Sequence, residues 1–170
     1  DITGITIGKN VTSIGENAFA NCLNLTAVTM SESVVSIGIK AFQSCSSLAE
    51  IQLPPGLTKI ESYTFSYCRS LKNVTIPDSV EEIGSYAFSD CSGLESITIP
   101  DGVTSMGEYS FSGCSAASEL NIGGGLKSLD MFSFAYCTSL KSVFIPSNIK
   151  SIGQSAFEGC SALEEAEISD

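Results

Sequence analysis

Seven cysteines have the side chains best suited to chemistry in this sequence, and they recur every 23 residues. They are Cys22, Cys45, Cys68, Cys91, Cys114, Cys137 and Cys160. Zinc sites need cysteines separated by about two to four residues, or histidine partners, and this chain has no histidine. Equivalent thiols of stacked repeats point in parallel, so they do not converge as a disulfide requires. The pattern therefore predicts small, buried, apolar side chains, with no metal site.

Catalytic arrangements are hard to assemble from the remaining residues. Without histidine there is no Ser-His or Cys-His pair to activate a nucleophile. The run "NIGGGLKSL" at 121–129 lacks the spacing of a phosphate-binding loop. Glu164, Glu165 and Glu167 lie close together, but side chains alternate along a strand, which favours a solvated edge over an acid/base pair. We expect no enzyme activity, no catalytic residues and no cofactor.

Phenylalanine repeats with the same period as cysteine and indicates how the elements are arranged. It stands at Phe19, Phe42, Phe65, Phe88, Phe111, Phe134 and Phe157. The unit reads approximately V-x-x-I-G-x-x-A-F-x-x-C-x-x-L-x-x-V-x-I-P-x-x. Alternation before the proline predicts a short parallel strand, and V-x-x-I predicts a second extended piece. The A-F-x-x-C segment is too short for a lasting helix and predicts one helical or 3-10 turn.

A strict repeat of this length predicts one stack of units. We expect a single β-rich α/β solenoid over 1–170, with about seven and a half repeats and no linker. Equivalent residues would lie about 4.8 Å apart, the spacing of strands in a sheet. The phenylalanines would then form one interior file. The pattern begins within one repeat and ends one strand after the last full unit, so we expect a fragment of a longer protein.

The charge distribution excludes several classes of partner. The net charge is −11, and the eight basic residues are well separated. Nucleic acids need clustered lysine and arginine, and anionic membranes attract basic segments. No apolar run approaches the roughly 20 residues that span a bilayer. We expect neither nucleic-acid binding nor direct membrane insertion.

The columns L-x-x-V-x-I-P and V-x-x-I-G-x-x-A-F-x-x-C resemble the BspA-like, or Treponema-type, leucine-rich repeat over nearly the whole chain. The resemblance implies a right-handed leucine-rich repeat solenoid. It also implies a bacterial or protist cell-surface or secreted protein, and some members of the family are associated with attachment to host matrix proteins.

Two files of side chains could contact a partner. The column between the last two apolar residues of each predicted strand contains Thr29, Gln52, Thr75, Thr98, Asn121 and Phe144. Small polar groups in register suit recognition of a protein or glycan, although threonine also simply favours strands. A second file lies two residues before the core phenylalanines and contains Tyr63, Tyr86, Tyr109 and Phe132. These aromatic rings could either pack together or form a second binding surface.

These observations favour a non-catalytic binding module that recognises a protein, such as one of the host extracellular matrix, or a glycan. The alternative is a structural spacer or stalk that presents another domain. A partner-binding face distinguishes the two, because a spacer needs none.

Overall fold

The computed structural model describes residues 2–169, so the two terminal residues of the predicted 1–170 domain lie outside it. Every strand pair is parallel, and each paired residue lies opposite the residue 23 positions later, as Gly4 does with Ala27. One turn of the solenoid therefore takes one repeat, and the predicted fold class is confirmed.

Each repeat contributes to two faces. The first face contains the strands that end near the proline column: β1 (Gly4–Ile7), β3 (Ala27–Met30), β5 (Glu50–Ile51), β8 (Ser96–Ile99), β10 (Glu119–Ile122), β12 (Ser142–Ile145) and β14 (Glu165–Ile168). The second face contains two-residue strands: β2 (Ser13–Ile14), β4 (Ser36–Ile37), β6 (Lys59–Ile60), β7 (Glu82–Ile83), β9 (Ser105–Met106), β11 (Ser128–Leu129) and β13 (Ser151–Ile152). The second extended piece predicted from the sequence is thus present.

The hydrogen-bonded ladder of the first face is interrupted. Its sheets are β1-β3-β5, β8-β10 and β12-β14. Between the first two, only one bridge forms, from Glu50 to Asn73, in the region of the Pro54-Pro55 pair. Proline has no N–H to donate to a ladder, which limits pairing there. The repeats nevertheless keep their register on both sides of the interruption.

The phenylalanine file forms the centre of the core, as predicted. Successive rings are stacked with centroids 5.0–5.9 Å apart. The five inner rings are buried, while Phe19 and Phe157 at the two ends are only partly buried. Burial of one such side chain contributes roughly 1.5–3 kcal/mol. Columns of Leu, Ile and Val surround the file.

The A-F-x-x-C segment differs from the predicted helical turn, because the described residues form a series of tight turns there. Its N–H groups alternate between two kinds of partner. Cys22 N–H donates to Phe19 O within the segment (3.2 Å), whereas Phe19 N–H donates to Ala41 O of the next repeat (2.8 Å). The residues two before and two after the phenylalanine have positive φ, as at Asn17 (55°) and Asn21 (61°). A right-handed helix cannot continue through them.

The glycine that recurs after the second-face strand, as at Gly84, lies close to the backbone of the preceding repeat. A Cβ on Gly84 would lie 2.5 Å from Ser62 N of the preceding repeat. No φ in the left-handed region accompanies it. Close approach of neighbouring backbones, and not an unusual turn, explains the absence of a side chain at Gly84.

Candidate recognition surfaces

The first candidate surface, the strand file, consists of the six residues predicted from the strand columns. All of them are exposed, and Phe144 is 50% exposed although it is aromatic. The structure brings them into a row along the first face: Thr29, Gln52, Thr75, Thr98, Asn121 and Phe144. Asn121 lies opposite Thr98 in the ladder, and its Nδ2 donates to Thr98 Oγ1 at 3.5 Å.

The interruption of the ladder shapes the middle of the strand file. Gln52 directly follows β5, whereas Thr75 lies in a repeat that has no named strand on this face, two residues after the isolated bridge at Asn73. Shallow hollows of about 370 Å³ and 280 Å³ lie on either side of the interruption, and Gln52 and Thr75 are among the residues that line them. Both hollows are open, whereas small-molecule sites bury most of their ligand. The strand file is therefore better suited to a large partner.

The second predicted file is a continuous aromatic stack. Tyr63, Tyr86, Tyr109 and Phe132 follow one another with ring centroids 4.7 Å apart and interplanar angles of 3–9°. All four rings are half-buried. Partial burial, followed by the neighbouring phenols of Tyr109 and Tyr63, raises the pKa of Tyr86. The four rings thus pack against one another and also remain partly exposed to solvent.

Two further aromatic residues lie beside this stack, and the sequence analysis missed them. Tyr67 and Tyr136 are 41% and 50% exposed. The Arg69 guanidinium lies 5.7 Å from the ring centre of Tyr67, and the Tyr136 hydroxyl donates to Glu158 Oε1 at 2.9 Å. A signal was present, since both tyrosines stand two residues after a core phenylalanine. Asp90 and Gly113 occupy the same column in the two repeats between them, so no pattern of tyrosines was visible.

The cysteines form a single file, and its five inner members are poorly suited to chemistry. All seven are free, and the five inner ones are buried. Each described thiol from Cys45 onward donates to the carbonyl oxygen of the phenylalanine 26 residues earlier, with distances of 3.1–3.5 Å. Burial raises the pKa of Cys45 to about 11 and that of Cys137 to about 12. A neutral, enclosed thiol is a poor nucleophile and metal ligand.

Metal sites and membrane-spanning helices are not found in the part of the chain that the structure describes. No group of three or more acidic or cysteine side chains there is arranged to hold a metal ion. Residues 2–169 also contain no helix with the length and apolarity that a bilayer crossing requires.

Comparison with known proteins shows consistent similarity to one repeat family. The sequence pattern of the BspA type leucine rich repeat region matches residues 1–95 and 58–170, in six copies. No curated protein matches the chain.

Solved structures show the same similarity. A leucine-rich repeat protein from Bacteroides ovatus is 32% identical, with a TM-score of 0.92 over 96% of this chain and 45% of that one. The leucine-rich repeat protein of Treponema pallidum is 29% identical, with a TM-score of 0.87 over 95% of this chain and 78% of that one. The pneumococcal vaccine antigen PcpA, at 18% identity and a TM-score of 0.61 over 99% of this chain and 51% of that one, shares the fold alone. The chain thus spans less than half the length of the Bacteroides protein.

Proposed function

Because the chain belongs to the BspA-type leucine-rich repeat family, we propose that it is a non-catalytic recognition module of a cell-surface or secreted protein. Its partner is a protein, such as one of the host extracellular matrix, or a glycan, and the strand file is the binding face. The surface location is inferred from the family resemblance.

One observation carries the proposal: six exposed side chains lie in a row on the first face, and four of them lie on strands held by the core beneath them, namely Thr29, Thr98, Asn121 and Phe144. Backbones fixed in parallel ladders lose little freedom on binding, so such a face is preorganised. Phe144 supplies an exposed aromatic ring at one end of the row, and aromatic residues are frequent anchors at protein interfaces. The open hollows beside Gln52 and Thr75 favour a partner that covers a wide area.

The absence of catalysis is supported by the state of the potential nucleophiles. The chain has no histidine, and burial raises the pKa of the Cys68 thiol well above its ordinary value. A thiol in that state does not attack substrates near neutral pH.

Binding to immobilised extracellular-matrix proteins and to a glycan array tests the proposal. We expect Thr98→Glu and Phe144→Glu to weaken binding roughly tenfold or more, because each places a charge in the contact area. Ser105→Glu is the matched control, since Ser105 is an exposed strand residue on the second face. Binding that survives both strand-file changes would refute recognition through this face. If no matrix protein or glycan binds, the spacer alternative is favoured.

A further inference from the structure

The three tyrosines of the aromatic stack hold their phenol groups side by side. Tyr63, Tyr86 and Tyr109 have ring centroids 4.7 Å apart and ring planes within 3–6° of parallel. Their backbone φ angles agree within 56–59°, so each ring is nearly a translated copy of the one before it. The carbon atoms beside the hydroxyl of one ring therefore lie next to the same atoms of the following ring.

Both ends of this group of phenols are closed by side chains of another kind. Lys40 Nζ lies 5.5 Å from the ring centre of Tyr63, and the ring of Phe132 stacks on Tyr109 at 4.7 Å. Neither lysine nor phenylalanine has a phenol hydroxyl. A reaction between stacked phenols is therefore confined to Tyr86 and one of its two neighbours.

The phenol groups are open to a small oxidant. All three rings are half-buried, and because neighbouring rings cover their faces, the exposed part is the ring edge. Among residues 2–169, Tyr136 has the only tyrosine hydroxyl that donates to a protein acceptor, so no such bond holds the hydrogens of the stacked hydroxyls. The five inner thiols, which would compete for an oxidant, are buried.

The tyrosines span the repeats in which the ladder of the first face is interrupted. Tyr63 belongs to the repeat of β5, Tyr86 to that of Asn73, and Tyr109 to that of β8. The single bridge from Glu50 to Asn73 is the only pairing found on the first face between β5 and β8. A covalent bond between neighbouring tyrosines would thus join repeats that this ladder leaves almost unconnected.

We propose that Tyr86 is a site of oxidative cross-linking, where hydrogen peroxide and a haem peroxidase join it to Tyr63 or Tyr109 as dityrosine and so fasten neighbouring repeats. Each of the two phenols loses one hydrogen atom from its hydroxyl to the peroxide, which becomes two molecules of water. The two ring carbons beside the oxygens form one carbon–carbon bond. The hydrogen on each of these carbons moves to its own oxygen, which restores both hydroxyls.

The geometry requires one local movement for this bond. A carbon–carbon bond is shorter than the 4.7 Å between the rings, so the two phenol ends must tilt toward each other at their exposed edges. The modification lies away from the strand file and does not depend on binding through it.

Treatment of the purified chain with hydrogen peroxide and a plant haem peroxidase, at low protein concentration, tests the proposal. We expect dityrosine fluorescence in chains that remain monomers on a denaturing gel. Digestion with a glutamate-specific protease separates the three tyrosines, because glutamates stand between them. Mass spectrometry should then find the Tyr86 peptide joined to the peptide of Tyr63 or Tyr109.

Two matched variants assign the bond. Tyr86→Phe should lower the yield of dityrosine by roughly tenfold or more, because the remaining phenols are no longer held side by side. Phe132 shows that phenylalanine stacks in this column. Tyr67→Phe is the control and should leave the yield unchanged, because Tyr67 is 41% exposed but lies outside the stack. The cross-linked chain should also unfold at a higher urea concentration, because a closed loop restricts the unfolded chain.

Several results would overturn the proposal. They are dityrosine found only in cross-linked dimers of the chain, an equal yield from Tyr86→Phe, and loss of dityrosine in Tyr67→Phe. Oxidation of methionines and thiols without any dityrosine would overturn it as well. An unchanged urea midpoint of the cross-linked chain would contradict the fastening of the repeats.

Discussion

Replacement of Phe88 by alanine removes the central ring of the core file. Phe88 is 0% exposed, and its ring centroid lies 5.3 Å from Phe65 and 5.0 Å from Phe111. Phenylalanine-to-alanine changes in closed cores lower the free energy of unfolding by about 3–5 kcal/mol. That range combines lost burial with a residual cavity that the two flanking rings can fill only in part.

The same change at the end of the file gives a graded comparison. Phe157 is only partly buried and has one stacked neighbour, Phe134, at 5.6 Å. Because the side chain is partly exposed and has one stacking neighbour in place of two, we expect Phe157→Ala to lower the free energy of unfolding by less, roughly 1.5–2.5 kcal/mol.

Urea unfolding followed by far-ultraviolet circular dichroism measures both losses. Since domains of this size are stable by about 5–15 kcal/mol, the Phe88→Ala midpoint should fall clearly below that of Phe157→Ala. Equal losses at the two positions would refute the reasoning, because they would mean that the rings do not form a file with a closed middle and open ends.

Three further properties follow from buried groups. The hydroxyls of Ser110 and Ser133 are buried without a hydrogen-bond partner, so each change to alanine should raise the free energy of unfolding by about 1 kcal/mol, measured in urea. Burial raises the pKa of Cys45 from 9.0 to about 11, so the contribution of this thiol to stability is complete below pH 9 and is lost as the pH rises to 11. The expected loss in the free energy of unfolding is about 2–3 kcal/mol. Chemical unfolding at pH 8, 10 and 11 measures this loss, and Cys45→Ala should make it smaller. Thiol titration without denaturant should modify Cys22 and Cys160 first, because they are half-buried at the ends; rapid reaction of all seven thiols would contradict the buried file.

Periodicity predicted the parts of the fold that depend on stacking. A 23-residue recurrence of Phe88 and Cys91 directly reflects the register of neighbouring turns, so the parallel strands, the ring file and the buried inner thiols could all be predicted. The course of the chain around Phe19 could not, because its N–H bonds alternate between its own turn and the next repeat. That arrangement depends on hydrogen bonds to a neighbouring repeat, and the conformational preferences of single residues do not include them. The same limit applies to Gly84, which is required by proximity to Ser62.

The candidate surfaces were predicted in part. Exposure of the strand file followed from alternation along the strands. The interruption near Gln52 and Thr75 did not, because proline in this column does not by itself remove the strand: Pro100 follows the full strand β8, whereas no named strand precedes Pro77. Binding through this file remains a prediction. Tyr67 and Tyr136 were missed because Asp90 and Gly113 occupy the same column, and a variable column carries no consensus signal.

The central claim is that like residues of successive repeats lie side by side along the solenoid. Nuclear Overhauser spectroscopy on protein with isotopically labelled phenylalanine rings tests it most directly, with single Phe→Leu variants to assign the signals. The account predicts ring-to-ring contacts between each phenylalanine of the file and the one 23 residues later, since their centroids lie 5.0–5.9 Å apart. Absence of these contacts in the folded protein would contradict the account.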